Sequence, residues 1–152
     1  MSDITTVILA AGNSTRFKAS TSKLVYPLCG LPIVSHIYEI AKKISGNNIF
    51  IVCNDKNKDE LKSILNTSKL IVQKNQKGTA DAIEQVKKYV KSKNIIILFG
   101  DTPLVEVKDI RKLVSKFKTS KAKASLIAFN TLKPHGYGRL LLNLSLIHIS
   151  EP

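Results

Sequence analysis

Three groups of residues have types and spacing suited to handling a polyphosphate. The first is Val7-Ile8-Leu9-Ala10-Ala11-Gly12-Asn13-Ser14-Thr15-Arg16, followed by Lys23. Small residues at 10–12 let backbone N–H groups come close to phosphate oxygens, and Arg16 and Lys23 carry the charge that neutralises them. The second is Gly100-Asp101, a carboxylate directly after the apolar run Asn94–Phe99 and able to hold a Mg²⁺ ion that bridges phosphates. The third is Gln73-Lys74-Asn75-Gln76-Lys77-Gly78-Thr79. Its side-chain amides offer both donor and acceptor to a pyrimidine edge, and Gly78 lets the backbone approach a base. Taken singly, each has a plainer alternative: a βα turn with an exposed arginine, an aspartate bonded to its own turn, and a polar turn capped by Thr79. A fourth segment, Gly136-Tyr137-Gly138-Arg139, reads equally as the lining of a sugar pocket or as a hairpin bend.

Other chemistries lack their residues. No Gly-Lys-Ser/Thr follows Gly12 at P-loop spacing, and no Gly-x-Gly-x-x-Gly with a later acidic residue marks a dinucleotide site. His36, His135 and His148 are not spaced as metal ligands and read as structural or exposed. Cys29 and Cys53 form no Cys-x-x-Cys pair and read as buried free thiols. No Ser/His/Asp or Cys/His constellation can be assembled.

The elements that must position these groups follow from periodicity. Thr5–Ala10 reads as a buried strand, β-branched and then aliphatic, and 11–23 as a long polar loop. Pro32 opens a helix in which Ile33, Ile37, Ile40, Ala41 and Ile44 recur at helical spacing until Ser45-Gly46. Strands are predicted at Asn48–Cys53, Lys69–Gln73, Asn94–Phe99 and Ala122–Phe129. Helices are predicted at Asp59–Leu65, from Gly78-Thr79 to about Val90 with Thr79 as N-cap, and at Lys108–Phe117. Asn94–Phe99 is apolar on both faces. Alternating strands and helices, with several continuously apolar strands, predict one α/β domain with a mostly parallel sheet covered on both sides. In such sheets ligands lie beyond the carboxyl ends of the strands, where the three candidate segments fall.

Composition narrows the partners. The chain has 152 residues, 43% hydrophobic and 23% charged, ordinary for a globular domain. No apolar run is long enough to span a bilayer, and Met1-Ser2-Asp3-Ile4 offers no basic n-region before an apolar stretch, so a chain without a secretory signal, in the cytoplasm and without membrane attachment, is expected. The net charge of +13 comes mostly from lysines interspersed on the polar faces of predicted helices, and aromatics are only 6%. A solvated lysine surface is therefore favoured over a nucleic-acid footprint, which would need stacking aromatics among the basic residues.

In this order the segments resemble the sugar-nucleotidyltransferase family, nearest its bacterial N-acetylglucosamine-1-phosphate uridyltransferase branch. The markers are Leu9-Ala10-Ala11-Gly12-x-x-Thr15-Arg16, Lys23, Gly30-x-Pro32, Gln73-x-x-Gln76-x-Gly78-Thr79, Gly100-Asp101-x-Pro103-Leu104 and Gly136-Tyr137-Gly138-Arg139. The resemblance implies a Rossmann-like, mostly parallel sheet flanked by helices, incomplete at the C-terminus. It also implies transfer of UMP from UTP to N-acetylglucosamine 1-phosphate with Mg²⁺ as cofactor. Leu9, Ala10, Ala11 and Gly12 would form the nucleotide loop, with Ala11 and Gly12 holding uracil and nucleotide by their backbone. Arg16 would bind the departing pyrophosphate, and Lys23 would bridge the reacting phosphates. Gln73 and Gly78 would read uracil, supported by Gln76 and Thr79. Asp101 would hold Mg²⁺, and Gly138 would touch the acetylated sugar.

The same resemblance sets out departures. Ser14 stands where relatives often have glycine, Phe99 where they often have tyrosine, and Ser22 where proline is usual, which loosens the approach of Lys23. Residues 1–143 are expected to be a partial nucleotidyltransferase domain lacking part of the sugar site. Residues 144–152 are expected to be a non-native tail resembling a translated sequencing adapter, the alternative being a genuine apolar strand. Turnover by this chain alone is expected to be weak or absent. The parent enzyme is expected to be homo-oligomeric through a further C-terminal domain. The rivals are a nucleotidyltransferase using CTP or dTTP with another phosphate acceptor, and a basic nucleic-acid-binding module.

Overall fold

The structure is a computed structural model that describes residues 3–12, 22–75, 77–133, 135–142 and 147–150. The chain opens with strand β1 (Ile4–Leu9), and a short 3₁₀ turn at Lys23–Val25 leads to a hairpin of β2 (Pro27–Leu28) and β3 (Leu31–Pro32). Helix α1 (Ile33–Ser45), β4 (Ile49–Cys53), α2 (Lys58–Leu65), β5 (Leu70–Val72), α3 (Thr79–Lys87), β6 (Asn94–Phe99) and α4 (Val107–Thr119) follow. A second hairpin pairs β7 (Arg139–Leu142) with β8 (Ile147–Ser150). The main sheet is parallel in the order β5-β4-β1-β6.

The strand pleat sorts side chains into two layers. Ile8, Ile49, Ile51, Cys53 and Leu98 face α1, α2 and α4, whose Val34, Ile37, Ala41, Ile44, Leu61, Leu65 and Ile110 complete the larger core. Val7 and Val52 face the other way, toward Ala82 and Val86 of α3. Full burial of each large aliphatic side chain contributes about 1.5–3 kcal/mol, so the apolar stripe of α1 fixes that helix to the sheet. The buried hydroxyls of β1 are satisfied across elements: Thr6 bonds Ser45 at 2.5 Å, and Thr5 bonds Ser92 at 2.7 Å and accepts from Asn48 Nδ2 at 2.7 Å.

Several expectations need correction. Ala122–Phe129 is not a strand: it is irregular and exposed, because β-propensity makes a strand only where a neighbour supplies the ladder, and none does here. Asn94–Phe99 is a strand, but only one of its apolar faces is covered. Helix α3 sits over β1, β4 and β5, which leaves Ile95 and Phe99 exposed. Pro32 ends β3 and α1 begins one residue later. Thr79 is not the N-cap of α3: Gly78 holds that position with no side-chain cap, and Thr79 is the first helical residue. The hairpin at 27–32 was not expected. Cys29 and Gly30 both have positive φ (50° and 82°), the pattern of a two-residue turn that matches strand twist. His36 Nε2 lies 2.9 Å from Leu28 O and ties that hairpin to α1, the structural role expected of it.

Candidate active site

The sheet order creates one crevice. From β1 the chain moves to β4 and β5 on one side and then crosses to β6 on the other. The carboxyl ends of β1 and β6 therefore flank the point where the order reverses, the place where open α/β sheets bind ligands. Leu9 and Phe99 are the last register partners, so Ala10 and Gly100 emerge side by side. Gly100 N–H donates to Leu9 O at 2.9 Å. A Cβ at Gly100 would meet Leu9 O at 3.1 Å and Leu24 Cδ2 at 3.2 Å, so the close passage of chains leaves little room for any side chain there. Buried Leu24 anchors the turn that carries Lys23, and Lys23 Nζ lies 3.1 Å from Asp101 Oδ2. The two side chains are 40% and 46% exposed, which leaves both open to a ligand. Ser22 partly replaces the constraint of proline ahead of Lys23. Its φ of −63° is a value proline would adopt, and its hydroxyl accepts from Leu24 N–H at 3.4 Å.

On the other flank of β1, residues missed in the sequence hold the segment that follows this strand. Asn54 and Asn57, 9% and 4% exposed, bond each other reciprocally: each backbone N–H donates to the other's Oδ1 at 3.0 Å. Their amide groups then reach back, Asn54 Nδ2 to Ala11 O at 3.0 Å and Asn57 Nδ2 to Ala10 O at 2.8 Å. The only sequence signal was Asn-x-x-Asn directly after an apolar strand, a pattern that any turn produces.

The Gln73 segment is built differently from expectation. Gln73 is 5% exposed, and its Nε2 donates to Asp81 Oδ2 at 2.6 Å and Gly78 O at 3.2 Å. Both partners only accept, so the NH₂ group must face them and Oε1 is left as the acceptor that a ligand could meet. Gly78, at φ 103°, ψ −174°, occupies backbone space essentially restricted to glycine. Asp81 is the acidic residue in the first turn of α3, where a negative charge suits the helix dipole. It also fixes the orientation of this amide.

Arg16 and Gln76 lie outside the described residues. Gly138 is exposed in the segment entering β7, and no hydrogen bond among the described residues joins it to Lys23 or Asp101. Of the two thiols expected to be buried, Cys29 is exposed because it sits in the β2–β3 turn, whereas burial pushes the Cys53 thiol up to about 11, and its Sγ lies 3.6 Å from Ile71 O, an inert core thiol. Among the described residues no three His, Cys, Asp or Glu side chains gather as a metal cage. A lone, half-exposed carboxylate nevertheless fits Mg²⁺, which commonly keeps its waters and takes one protein carboxylate beside substrate phosphates. No helix among the described residues is long and apolar enough to cross a membrane.

Comparison with known proteins agrees with this geometry. The MobA-like NTP transferase domain matches residues 6–144. The bifunctional protein GlmU of Buchnera aphidicola (subsp. Schizaphis graminum) is 39% identical over 140 residues, covering 91% of this chain and 30% of the relative. That of Campylobacter fetus is 38% identical over 148 residues, 94% of this chain and 33% of the relative. The chain thus spans about a third of the length of these relatives. A Bacillus anthracis protein described as a glucose-1-phosphate thymidylyltransferase superposes with a TM-score of 0.85 at 22% identity, over 97% of this chain and 64% of its own. CMP:2-keto-3-deoxy-manno-octonic acid synthetase, complexed with CTP, gives 0.66 at 24% identity over 80% of this chain and 49% of its own. These two establish the shared α/β fold. With a parallel sheet whose switch point joins a lysine to an aspartate, the chain belongs to the MobA-like NTP transferase domain family and is a nucleotidyltransferase domain.

Proposed function

We propose that this domain binds UTP and serves the transfer of UMP to N-acetylglucosamine 1-phosphate, releasing pyrophosphate. The observation that carries the reading is the Lys23–Asp101 pair, 3.1 Å apart at the β1/β6 crevice although 78 residues separate the two in sequence. In the proposed reaction an oxygen of the sugar phosphate forms a bond to the α-phosphorus of UTP. The bond from that phosphorus to the bridging oxygen breaks, and pyrophosphate leaves with the electron pair. A phosphate monoester with a second pKa of about 6 is already mostly dianionic at neutral pH, so no protein base is needed. Catalysis then rests on positioning and charge neutralisation. Lys23 would exchange Asp101 for the reacting phosphates, and Arg16 would hold the departing pyrophosphate. Asp101 would hold Mg²⁺, which when bound neutralises charge on the phosphate oxygens. Gly138 would touch the acetylated sugar.

The preference for uracil is supported by Gln73. Its amide is turned so that an acceptor is presented, which, set opposite ring position 3 and not the 4-amino group of cytosine, suits the N3–H of uracil and not the unprotonated N3 of cytosine. The relatives named GlmU add to this reading. The experiment is calorimetric titration of the chain with the Mg²⁺ complexes of UTP, dTTP, CTP and ATP, followed by pyrophosphate release with N-acetylglucosamine 1-phosphate. UTP binding tighter than CTP by about tenfold or more is expected from one lost hydrogen bond and the acceptor left unpaired. Equal or tighter binding of CTP would move the reading to another nucleotidyl donor. Salt-sensitive binding of nucleic acid with no nucleotide binding would favour the basic-module rival.

A further inference from the structure

We infer that Asn54 is a positioning residue that turns one peptide of the nucleotide loop so that the Gly12 N–H faces the ligand crevice. The inference rests on the nucleotide-binding reading above and extends it to a residue outside the loop.

Along a strand, successive carbonyls point to alternate sides. Leu9 O points toward β6, where it accepts from Gly100 N–H at 2.9 Å. Ala10 N–H donates to Val52 O at 2.7 Å and Ala10 O accepts from Asn57 at 2.8 Å, so residue 10 faces the β4 side as the pleat requires. Ala11 O should then return to the β6 side. Instead it stays on the β4 side and accepts from Asn54 Nδ2 at 3.0 Å. In a planar trans peptide the carbonyl and the following N–H point in opposite directions. With Ala11 O held toward Asn54, Gly12 N–H is directed to the side where Lys23 and Asp101 stand. A regular strand would have aimed it at β4.

The holding group is rigid. Asn54 and Asn57 are buried, and each fixes the other's side chain through its backbone N–H. Side-chain amides locked in this way lose little further freedom when they hold the loop, so the donor at Gly12 is set before a ligand arrives.

The test is Asn54→Ser, which is neutral and keeps an oxygen near Asn57 N–H but cannot reach Ala11 O. Mg-UTP and Mg-pyrophosphate affinities are measured on the wild-type chain and the variant, together with thermal midpoints. The wild-type chain should bind UTP. In the variant UTP should weaken about tenfold, the loss of one oriented donor, while pyrophosphate, held by charge, stays unchanged. Asn54→Ala gives the same comparison should the serine variant fold poorly. UTP affinity that survives both substitutions overturns the inference alone. A parallel loss of UTP and pyrophosphate binding also overturns it, because Asn54 would then only support the fold. A wild-type chain that binds no UTP overturns the proposed function, and this inference with it.

Discussion

Replacing Asp101 by asparagine removes one charge and almost no volume, and separates a structural from a functional role for the Lys23–Asp101 pair. At 3.1 Å two unit charges in bulk water attract by roughly 1.3 kcal/mol. The side chains are 40% and 46% exposed, and measured pairs of that kind contribute about 0.2–1 kcal/mol after side-chain ordering and salt screening. For a domain of this size that shifts the melting midpoint by no more than about 4 °C. The functional effect should be far larger. A neutral amide is a poor ligand for a hard cation, and loss of one charge-assisted contact of about 1.5–3 kcal/mol corresponds to roughly 10- to 150-fold. Lys23, released from its partner, still attracts phosphate. UTP affinity should therefore lose its dependence on Mg²⁺ while binding without Mg²⁺ holds or strengthens. Titration of UTP at stepped Mg²⁺ concentrations, beside a melting curve, reads both. A variant that melts more than about 10 °C lower, or one whose UTP affinity still rises with Mg²⁺ as in the wild type, would refute the assignment of Asp101 to the cation.

Gly100→Ala should destabilise the domain by about 1–3 kcal/mol in urea denaturation, because Leu9 O at 3.1 Å is backbone and cannot yield as a side chain does. It should weaken UTP binding as well, since Leu24, the other close neighbour, anchors the turn of Lys23. An unchanged midpoint contradicts the fit. Asp81→Asn lets the Gln73 amide rotate, because asparagine can donate as well as accept. The preference for UTP over CTP should then fall about tenfold, and a constant ratio would remove Gln73 from base selection. In native protein one thiol, the exposed Cys29, should react with a thiol reagent, while Cys53 reacts only on unfolding. The folded Cys53 keeps its proton up to about pH 11, whereas the unfolded thiol loses it near 9.0, so its contribution to stability is complete below pH 9 and lost as pH rises through about 11. A Cys53→Ala variant should show a shallower loss over that window.

Legibility followed the range of the interactions. Helix α1 was readable because Ile37, Ala41 and Ile44 report one face of one element, and β1 and β4 because continuous aliphatic runs signal burial on both sides. The approach of Lys23 to Asp101 was legible only through the rule that ligands gather at strand ends. Three features were not legible. Asn54 and Asn57 look like ordinary turn formers until the carbonyls of Ala10 and Ala11, more than 40 residues earlier, are placed beside them. The orientation of Gln73 depends on acceptors at 78 and 81 that only the folded turn supplies. The run 122–129 has strand-like composition, but composition does not reveal whether a neighbouring edge will accept it.

Among the described residues strand β6 has a ladder partner on one side only, and its Ile95 and Phe99 are exposed. Such an edge invites a second copy to zip onto it. The same molecule carries a net charge of +13, so two copies repel before their backbones meet. The range of that repulsion shrinks from about 30 Å at 0.01 M salt to about 3 Å at 1 M. Ionic strength thereby becomes the colloidal control of this domain, dispersed in dilute buffer and self-associating in brine.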